Sequence, residues 1–358
     1  MKFDGYLMTH DTVLHLFSWD EKFFIPFRKL IREKFSGSNH RFIVYGDVDN
    51  AILQPSSDTN TYSKILGSIF PFLKEMRQAK KIILHGLFNN HLFYIFLFHP
   101  WLLRKCYWVI WGGDLYIHEA KKKDWRWKKD EWFRRLVISR IGHLVTYIPG
   151  DVELARKWYG AKGREIECLM YTSNVFKPVE LVEVSRATTT ILMGNSAAPS
   201  NNHFEIFEAV QGLTGQSFKL ICPLSYGDHS YAAKVAATGK ELFGERFIPL
   251  PDFMPYQKYL DLLAEIDVAV FAHRRQQGMG NMVSLLGLGK KVYMRNDISS
   301  YRLLKSLGFH LGNISDFDLM PLNADFAKEN KKICMEYFSM ENLLKQLNNV
   351  FEGEHGVP

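Results

Sequence analysis

Short apolar runs alternate with stretches of helical periodicity along this chain. Residues 13–17 (VLHLF) form an apolar run, and a helical pattern follows over 23–35. Residues 41–45 (RFIVY) end at a Gly-Asp turn, 81–84 (KIIL) at His85-Gly86, and 107–111 (YWVIW) at Gly112-Gly113. Residues 143–148 (HLVTYI) end at Pro149-Gly150, after which Asp151 is expected to cap a helix running through Trp158. A polar, strand-poor stretch over 172–189 reads as a linker. A second series follows: strands over 190–193, 218–222, 247–250, 267–272 and 291–294, with helices near 202–211, 255–265 and from 281 onward. This βα rhythm predicts the α/β class, with a parallel sheet flanked by helices in each of two Rossmann-like halves. The N-terminal domain is expected over 1–175 and the C-terminal domain over 185–358. In open α/β sheets ligands bind beyond the carboxyl ends of the strands. The site is therefore expected in a cleft between two facing sheets, built from residues that directly follow strands.

Length and composition agree with two ordinary domains. The chain has 358 residues, 47% of them apolar, and a formal net charge of +7. The charge favours an anionic partner: phosphate, nucleic acid or an anionic membrane. Cys106, Cys168, Cys222 and Cys334 are far apart and form no CxxC pair. That spacing argues against a zinc site or a disulfide framework and for reduced thiols in a cytoplasmic setting. The opening MKFDGYLMTHD lacks the basic-then-apolar layout of a signal peptide. The greasiest stretch, residues 87–103, contains Asn89, Asn90, His91 and His99 and is broken by Pro100. It is expected to be a buried helix rather than a membrane span, which needs about 20 largely apolar residues.

Candidate chemistry sits after the strands. Arg274-Arg275-Gln276-Gln277-Gly278-Met279-Gly280-Asn281 follows one strand and opens a helix. Glycines permit close backbone approach, the helix start offers free N–H groups, and two arginines suit a diphosphate. Gly194-Asn195-Ser196, continuing to Ser200-Asn201-Asn202-His203, has small polar groups in the same setting. In the first half, Trp111-Gly112-Gly113-Asp114-Leu115-Tyr116 follows a strand. Asp114 is the first candidate for a general base, and Asp20, after the first strand, is its rival. His85 is a further polar group at a strand end. Asp47-Val48-Asp49 has the form of a metal motif, but in an early turn, and no resident metal or cofactor is expected.

A basic aromatic segment spans residues 121–135, with eight Lys/Arg against three Asp/Glu. Lys121, Lys122, Lys123, Trp125, Arg126, Trp127, Lys128 and Lys129 give it the character of an interfacial membrane contact. The same composition suits single-stranded nucleic acid.

Taken together, these residues resemble the TDP-N-acetylfucosamine:lipid II N-acetylfucosaminyltransferases of enterobacterial common antigen synthesis. The matching segments are His85-Gly86-x-Phe88-Asn89, Ile110-Trp111-Gly112-x-Asp114-Leu115-Tyr116, Gly194-Asn195-Ser196, Ser200-Asn201-x-His203, Tyr259, Asp267 and Arg275-Gln276-Gln277-Gly278-x-Gly280. They run in the same order over roughly residues 13 to 301. The resemblance implies a GT-B fold, a TDP-linked 4-amino-4,6-dideoxyhexose donor and a polyprenyl-diphosphate-linked acceptor. It implies donor binding in the C-terminal half, by Gly194, Asn195, Ser196, Asn201, His203, Tyr259, Arg275, Gln276, Gln277, Gly278 and Gly280, to which the reading of the 274–281 loop adds Arg274 and Asn281. It implies acceptor contacts in the N-terminal half, by His85, Asn89, Trp111, Gly112 and Tyr116, to which the glycine pair adds Gly113. Leu87, Ile117, Phe23, Phe24 and Ile25 depart from the family's pattern, all on the acceptor side, so an O-antigen acceptor stays open. Many GT-B enzymes hold ribose hydroxyls with a Glu on the last nucleotide-binding helix. Here Asn281-Met282-Val283-Ser284-Leu285-Leu286 offers no acid, consistent with a deoxynucleotide.

The expected activity is glycosyl transfer at the cytoplasmic face of a bacterial inner membrane, with Arg275 stabilising the leaving diphosphate and Asp114 or Asp20 activating the acceptor. The anionic inner leaflet is the expected partner surface, and nucleic acid is not. The alternatives are a nucleic-acid-binding protein using the basic segment, or a non-catalytic sugar-nucleotide-binding subunit.

Overall fold

The computed structural model describes residues 11–36, 39–49, 52–53, 56–63, 69–119, 123–178, 188–213 and 215–353. They fall into two compact units, Met1–Thr172 with Leu343–Pro358, and Ser173–Asn342.

The first unit is a wholly parallel seven-stranded sheet. Its strands are β1 (Val13–Ser18), β2 (His40–Tyr45), β3 (Thr59–Tyr62), β4 (Lys81–His85), β5 (Cys106–Val109), β6 (His143–Val145) and β7 (Arg164–Ile166), in the order β3-β2-β1-β4-β5-β6-β7. The central strands are buried almost throughout, which is why they read as continuous apolar runs. The helices are α1 (Glu21–Lys34), α2 (Ile69–Gln78), α3 (Asn90–Phe98), α4 (Trp125–Ile138) and α5 (Pro149–Tyr159). Asp20 caps α1, accepting from the Lys22 amide at 3.1 Å. Phe24, Phe27, Leu30 and Ile31 recur at helical spacing and are buried, each contributing roughly 1.5–3 kcal/mol. As expected, the greasy stretch is a short core helix, α3, that buries Leu92, Phe93, Ile95 and Phe96. Asp151 does not cap α5: it lies in the first turn, and Ile148 holds the cap position because Pro149 starts the helix.

The second unit is a parallel six-stranded sheet: β8 (Thr189–Met193), β9 (Phe218–Pro223), β10 (Phe247–Leu250), β11 (Val268–Phe271), β12 (Lys291–Met294) and β13 (Gly312–Asn313), in the order β10-β9-β8-β11-β12-β13. Its helices are α6 (His203–Gln211), α7 (His229–Phe243), α8 (Tyr256–Glu265), α9 (Met279–Gly287), α10 (Ser299–Ser306) and α11 (Ala324–Tyr337). Gly287 packs directly against the Phe176 ring, since a Cβ there would come within 2.3 Å of it.

The expected boundaries differ at both ends. The second unit begins at Ser173, because the Phe176 amide donates to the Phe338 carbonyl at 2.8 Å. Residues 179–187 of the expected linker lie outside the described residues. The C-terminal domain does not run to 358: α12 (Met340–Glu352) packs from Leu343 onward with the first unit. There Lys81 Nζ donates to the Val350 carbonyl at 2.9 Å, Gln346 Oε1 accepts from the Leu169 amide at 2.8 Å, and the Phe351 ring lies 4.6 Å from that of His40.

Candidate functional site

Each sheet has one point where strand order reverses, and in such sheets the ligand crevice opens beyond the strand ends at that point. In the second unit it lies between β8 and β11. Gly194-Asn195-Ser196 leaves β8 and His273-Arg274-Arg275 leaves β11, so the topology brings together the two loops singled out in this half.

A buried polar network joins these loops. Asn195, Ser196, Asn201, His203 and His273 are all buried. Asn201 Oδ1 accepts from the Asn195 amide at 2.8 Å, and its Nδ2 donates to Ser196 Oγ and the Ala198 carbonyl, each at 3.2 Å. Gln277 Nε2 donates to Ser196 Oγ at 3.3 Å and Asn195 Oδ1 at 3.4 Å, and its Oε1 accepts from Ser200 at 2.6 Å. Asn195 Nδ2 donates to the Tyr226 hydroxyl at 2.8 Å. His203 Nδ1 lies 3.2 Å from the Tyr231 hydroxyl, while its Nε2 is buried without a hydrogen-bond partner. Burial pushes the His203 pKa down to about 4. Gln276 Oε1 is likewise buried and unpartnered. Most buried polar atoms in folded proteins are hydrogen-bonded, so these two retain hydrogen-bonding capacity that the fold itself does not use.

The two arginines separate. Arg274 is exposed and faces Glu205 at 3.8 Å, a carboxylate that also holds Arg295 at 2.6 Å. Arg275 is half-buried and donates to the Gln276 carbonyl at 3.2 Å. Gly278 caps α9 with φ +67°, a conformation that favours glycine. The first N–H groups of α9, including those of Met279 and Gly280, have no intrahelical acceptor and suit an anion. Gly280 lacks a side chain for another reason. A Cβ there would come within 2.5 Å of the Ser173 carbonyl, so the glycine serves chain packing. Gly194 has φ +64° and sits against Asn201 and His203. Asn281 donates to the Tyr259 hydroxyl at 2.8 Å.

In the first unit the order reverses between β1 and β4, placing Trp19-Asp20 and Gly86-Leu87 at the crevice. Asp114 turns away from the crevice surface. It is fully buried and accepts four N–H bonds: Trp108 Nε1 at 2.7 Å and the Leu87 amide at 2.9 Å on Oδ2, and the Trp111 and Leu115 amides at 3.0 Å on Oδ1. Burial pushes its pKa up, against the pull of these donors. Arg134, itself buried, donates to the Leu87 and Asp114 carbonyls at 3.0 and 3.1 Å. Both Asp114 oxygens are occupied, so the side chain ties the loop after β4 to the loop after β5 and is closed off from solvent. Asp20 is half-buried, with its carboxylate on one cap bond.

His85 also turns inward. It stacks on Phe17 with ring centres 3.6 Å apart, and burial holds its pKa well below the usual range. It belongs to a chain of hydrogen bonds that sequence reasoning did not anticipate: His40 to His15 at 2.9 Å, His15 to His85 at 3.1 Å, and His85 to the Tyr171 hydroxyl at 2.5 Å. Trp111 Nε1 donates to the same hydroxyl at 2.9 Å. The Trp111 ring lies 4.5 Å from Phe23 and 5.7 Å from Phe88, forming an aromatic wall beside Asp20. Asn89 caps α3 through the His91 amide at 2.8 Å, and Tyr116 donates to Asp151 at 3.3 Å. Gly112, with φ +81°, supplies the carbonyl that accepts from Leu115 and Tyr116, and Gly113 follows half-buried in that turn. Asp47 and Asp49 are exposed in the turn after β2.

In the basic segment, Lys121 and Lys122 lie outside the described residues. Trp125 and Trp132 are 69% and 57% exposed, while Trp127 is half-buried and donates to the Ile117 carbonyl at 3.1 Å. Lys123 lies over the Trp127 ring and Arg126 over that of Trp125, with Lys128 and Lys129 exposed. Among the described residues no helix is long and apolar enough to cross a membrane.

Comparison with known proteins agrees with this architecture. A family model described as 4-alpha-L-fucosyltransferase, glycosyl transferase group 56, matches residues 21–301. Among solved structures, a glycosyltransferase from Rickettsia africae is similar at 13% identity with a TM-score of 0.64, covering 96% of this chain and 99% of that one. A lipopolysaccharide outer core galactosyltransferase in its apo form is similar at 13% identity and a TM-score of 0.62, over 96% and 99%. An Anabaena protein in complex with UDP and glucose is similar at 11% identity and a TM-score of 0.64, over 95% and 99%. At these identities the likeness shows the fold, which is of the GT-B class, with two Rossmann-like domains.

Proposed function

This chain belongs to the 4-alpha-L-fucosyltransferase family, glycosyl transferase group 56, and from that premise we propose that it moves a 4-amino-4,6-dideoxyhexose, such as N-acetylfucosamine, from a TDP-sugar to a polyprenyl-diphosphate-linked saccharide in bacterial surface polysaccharide synthesis. The observation that supports the donor side is the β8/β11 switch point, whose loops and adjoining helix starts carry Arg275, the buried Gln276 Oε1 and His203 Nε2 without hydrogen-bond partners, and the first amides of α9. These are groups suited to diphosphate and sugar oxygens. On α9, Asn281 donates to Tyr259 and Ser284 to the Gly280 carbonyl at 2.8 Å, and the helix has no carboxylate for a ribose diol. That supports a deoxynucleotide.

On this reading, Arg275 and the α9 amides stabilise the charge that develops on the leaving diphosphate. Asn195, Ser196, Gln276 and Gln277 hold donor oxygens. Asp20 takes the proton from the acceptor hydroxyl as it attacks the anomeric carbon. The aromatic wall of Phe23, Trp111 and Phe88 suits the apolar faces of an acceptor. The exposed Trp125 and Trp132 among Lys/Arg favour attachment to an anionic inner leaflet at the cytoplasmic face, at about 1 kcal/mol per basic group near the surface.

Thermal stabilisation by saturating TDP, UDP, GDP and a short single-stranded RNA tests the reading. A ligand at about 100 times its Kd adds about 2.7 kcal/mol. A shift with TDP alone supports the proposal. A shift with UDP or GDP removes the donor assignment, and a shift with RNA alone removes the proposal.

A further inference from the structure

His273 stands one residue past the end of β11, after Ala272, and is fully buried. Both ring nitrogens face oxygen acceptors: Nδ1 lies 3.0 Å from the Gln277 carbonyl, and Nε2 lies 2.9 Å from Asn201 Oδ1. The first is a backbone carbonyl and only accepts. The second is held in place by its own partners, because Oδ1 takes the Asn195 amide proton while Nδ2 donates to the Ala198 carbonyl. Turning that amide over would set its oxygen against the Ala198 carbonyl and its NH2 against the Asn195 N–H. A neutral imidazole carries one N–H, so one of the two contacts sets lone pair against lone pair. A second ring proton satisfies both.

The two acceptors sit in the two loops of the crevice. The Gln277 carbonyl directly precedes the Gly278 cap of α9, and Asn201 holds the Asn195 amide. The geometry points to His273 as a positioning residue that takes up a proton from solvent when a nucleotide diphosphate binds, so that the imidazolium fixes both loops around the anion. This rests on the reading of the β8/β11 crevice as the donor site. Among the described residues, the other titratable or charged groups facing the ring are Arg275 on its own loop and His203 at the start of α6. Glu205 on α6 is engaged with Arg274 and Arg295. Burial first, and Arg275 second, push the His273 pKa down to about 3. The ring is therefore neutral until an anion balances its charge, which is what makes the uptake depend on the ligand.

The test is calorimetry of the full chain with TDP-glucose, and in parallel UDP-glucose, in buffers of different ionisation enthalpy from about pH 5 to about pH 8. These probes are diphosphate diesters and do not titrate in that window. Uptake approaching one proton per ligand is expected, with affinity strengthening toward acid by up to about tenfold per pH unit. His273→Gln, whose amide supplies one contact at most, loses both effects. Binding without proton uptake at every pH overturns the proposal, as does unchanged uptake in His273→Gln. If that variant does not fold, ring-nitrogen NMR of the unsubstituted complex decides: two protonated nitrogens at His273 are expected, and a single one refutes it. If neither sugar nucleotide binds, the donor-site reading itself falls, an outcome distinct from binding without uptake.

Discussion

Asp114→Asn separates structure from chemistry at the first unit's crevice. The amide has nearly the volume of the carboxylate but turns one acceptor oxygen into a donor. Each carboxylate oxygen accepts two N–H bonds, Trp108 and Leu87 on one and Trp111 and Leu115 on the other. Whichever way the amide turns, two buried donors lose their acceptor and face an NH2 group. An unsatisfied buried donor costs about 1–3 kcal/mol, so the substitution costs about 2–6 kcal/mol against a native stability of about 5–15 kcal/mol. At about 2–4 °C per kcal/mol for a domain of this size, the melting temperature should fall by roughly 10 °C. The assay is direct, because all eight tryptophans lie at or before residue 158 and so report on the first unit alone. Turnover per folded molecule, measured well below the transition, should fall far less than the general-base contribution of about 10²–10⁴. A variant that melts like the parent and loses two or more orders of magnitude in kcat would refute this and restore Asp114 as the base.

The remaining expectations follow from the same geometry. Asp20→Asn keeps a good helix cap for α1 but removes the base, so kcat should fall by about 10²–10⁴ with melting nearly unchanged; a proportionate loss of both would make Asp20 only a cap. Arg275→Ala should lower kcat by about 10²–10³, and Arg274→Ala much less, because Arg274 is exposed and engaged with Glu205; equal effects in steady-state assays would remove the distinction. Stability should fall with acid: the folded pKa values of His40 and His203 are depressed by burial to about 4, so the unfolded chain takes up protons first. Their contribution is full above about pH 6.5 and lost as pH falls toward 4, about 3 kcal/mol for each. His15 and His85 shift in the same direction, and a flat urea midpoint between about pH 7 and pH 5 would contradict this.

The central strands were legible because they are buried on both faces. VLHLF, KIIL and DVAVFA read as apolar runs wherever they sit. Three of the four edges were not: β3 (TNTY), β7 (REI) and β13 (GN) have little to bury, so neither periodicity nor hydropathy marks them, whereas the fourth, β10 (FIPL), is apolar enough to read as a strand. The return of α12 to the first unit was invisible for another reason. Its apolar stripe of Leu343, Leu347, Val350 and Phe351 states that it packs, but not against which sheet. Only the contacts with Lys81, His40 and Leu169 decide that.

Site residues followed a similar division. Positions after strands were findable, since topology alone sends Asn195, Ser196 and Arg275 to one crevice and Asp20 to the other. Roles were harder to read. Asp114 has the spacing of a reactive carboxylate after a Gly-Gly pair, yet that spacing is what lets backbone amides and an indole close around it. Gly280 sits in a motif that suggests phosphate contact, yet the missing Cβ makes room for the Ser173 carbonyl from far earlier in the chain. His273 was passed over because it terminates an apolar run and looks like core. Its two acceptor contacts come from Asn201 and Gln277, one far in sequence and one close, and only their coincidence in space turns a buried histidine into a group with a proton to gain. Sequence position therefore identifies which residues reach a crevice, while hydrogen-bond saturation separates those still able to meet a ligand, such as Gln276 and His203, from those already committed, such as Asp114.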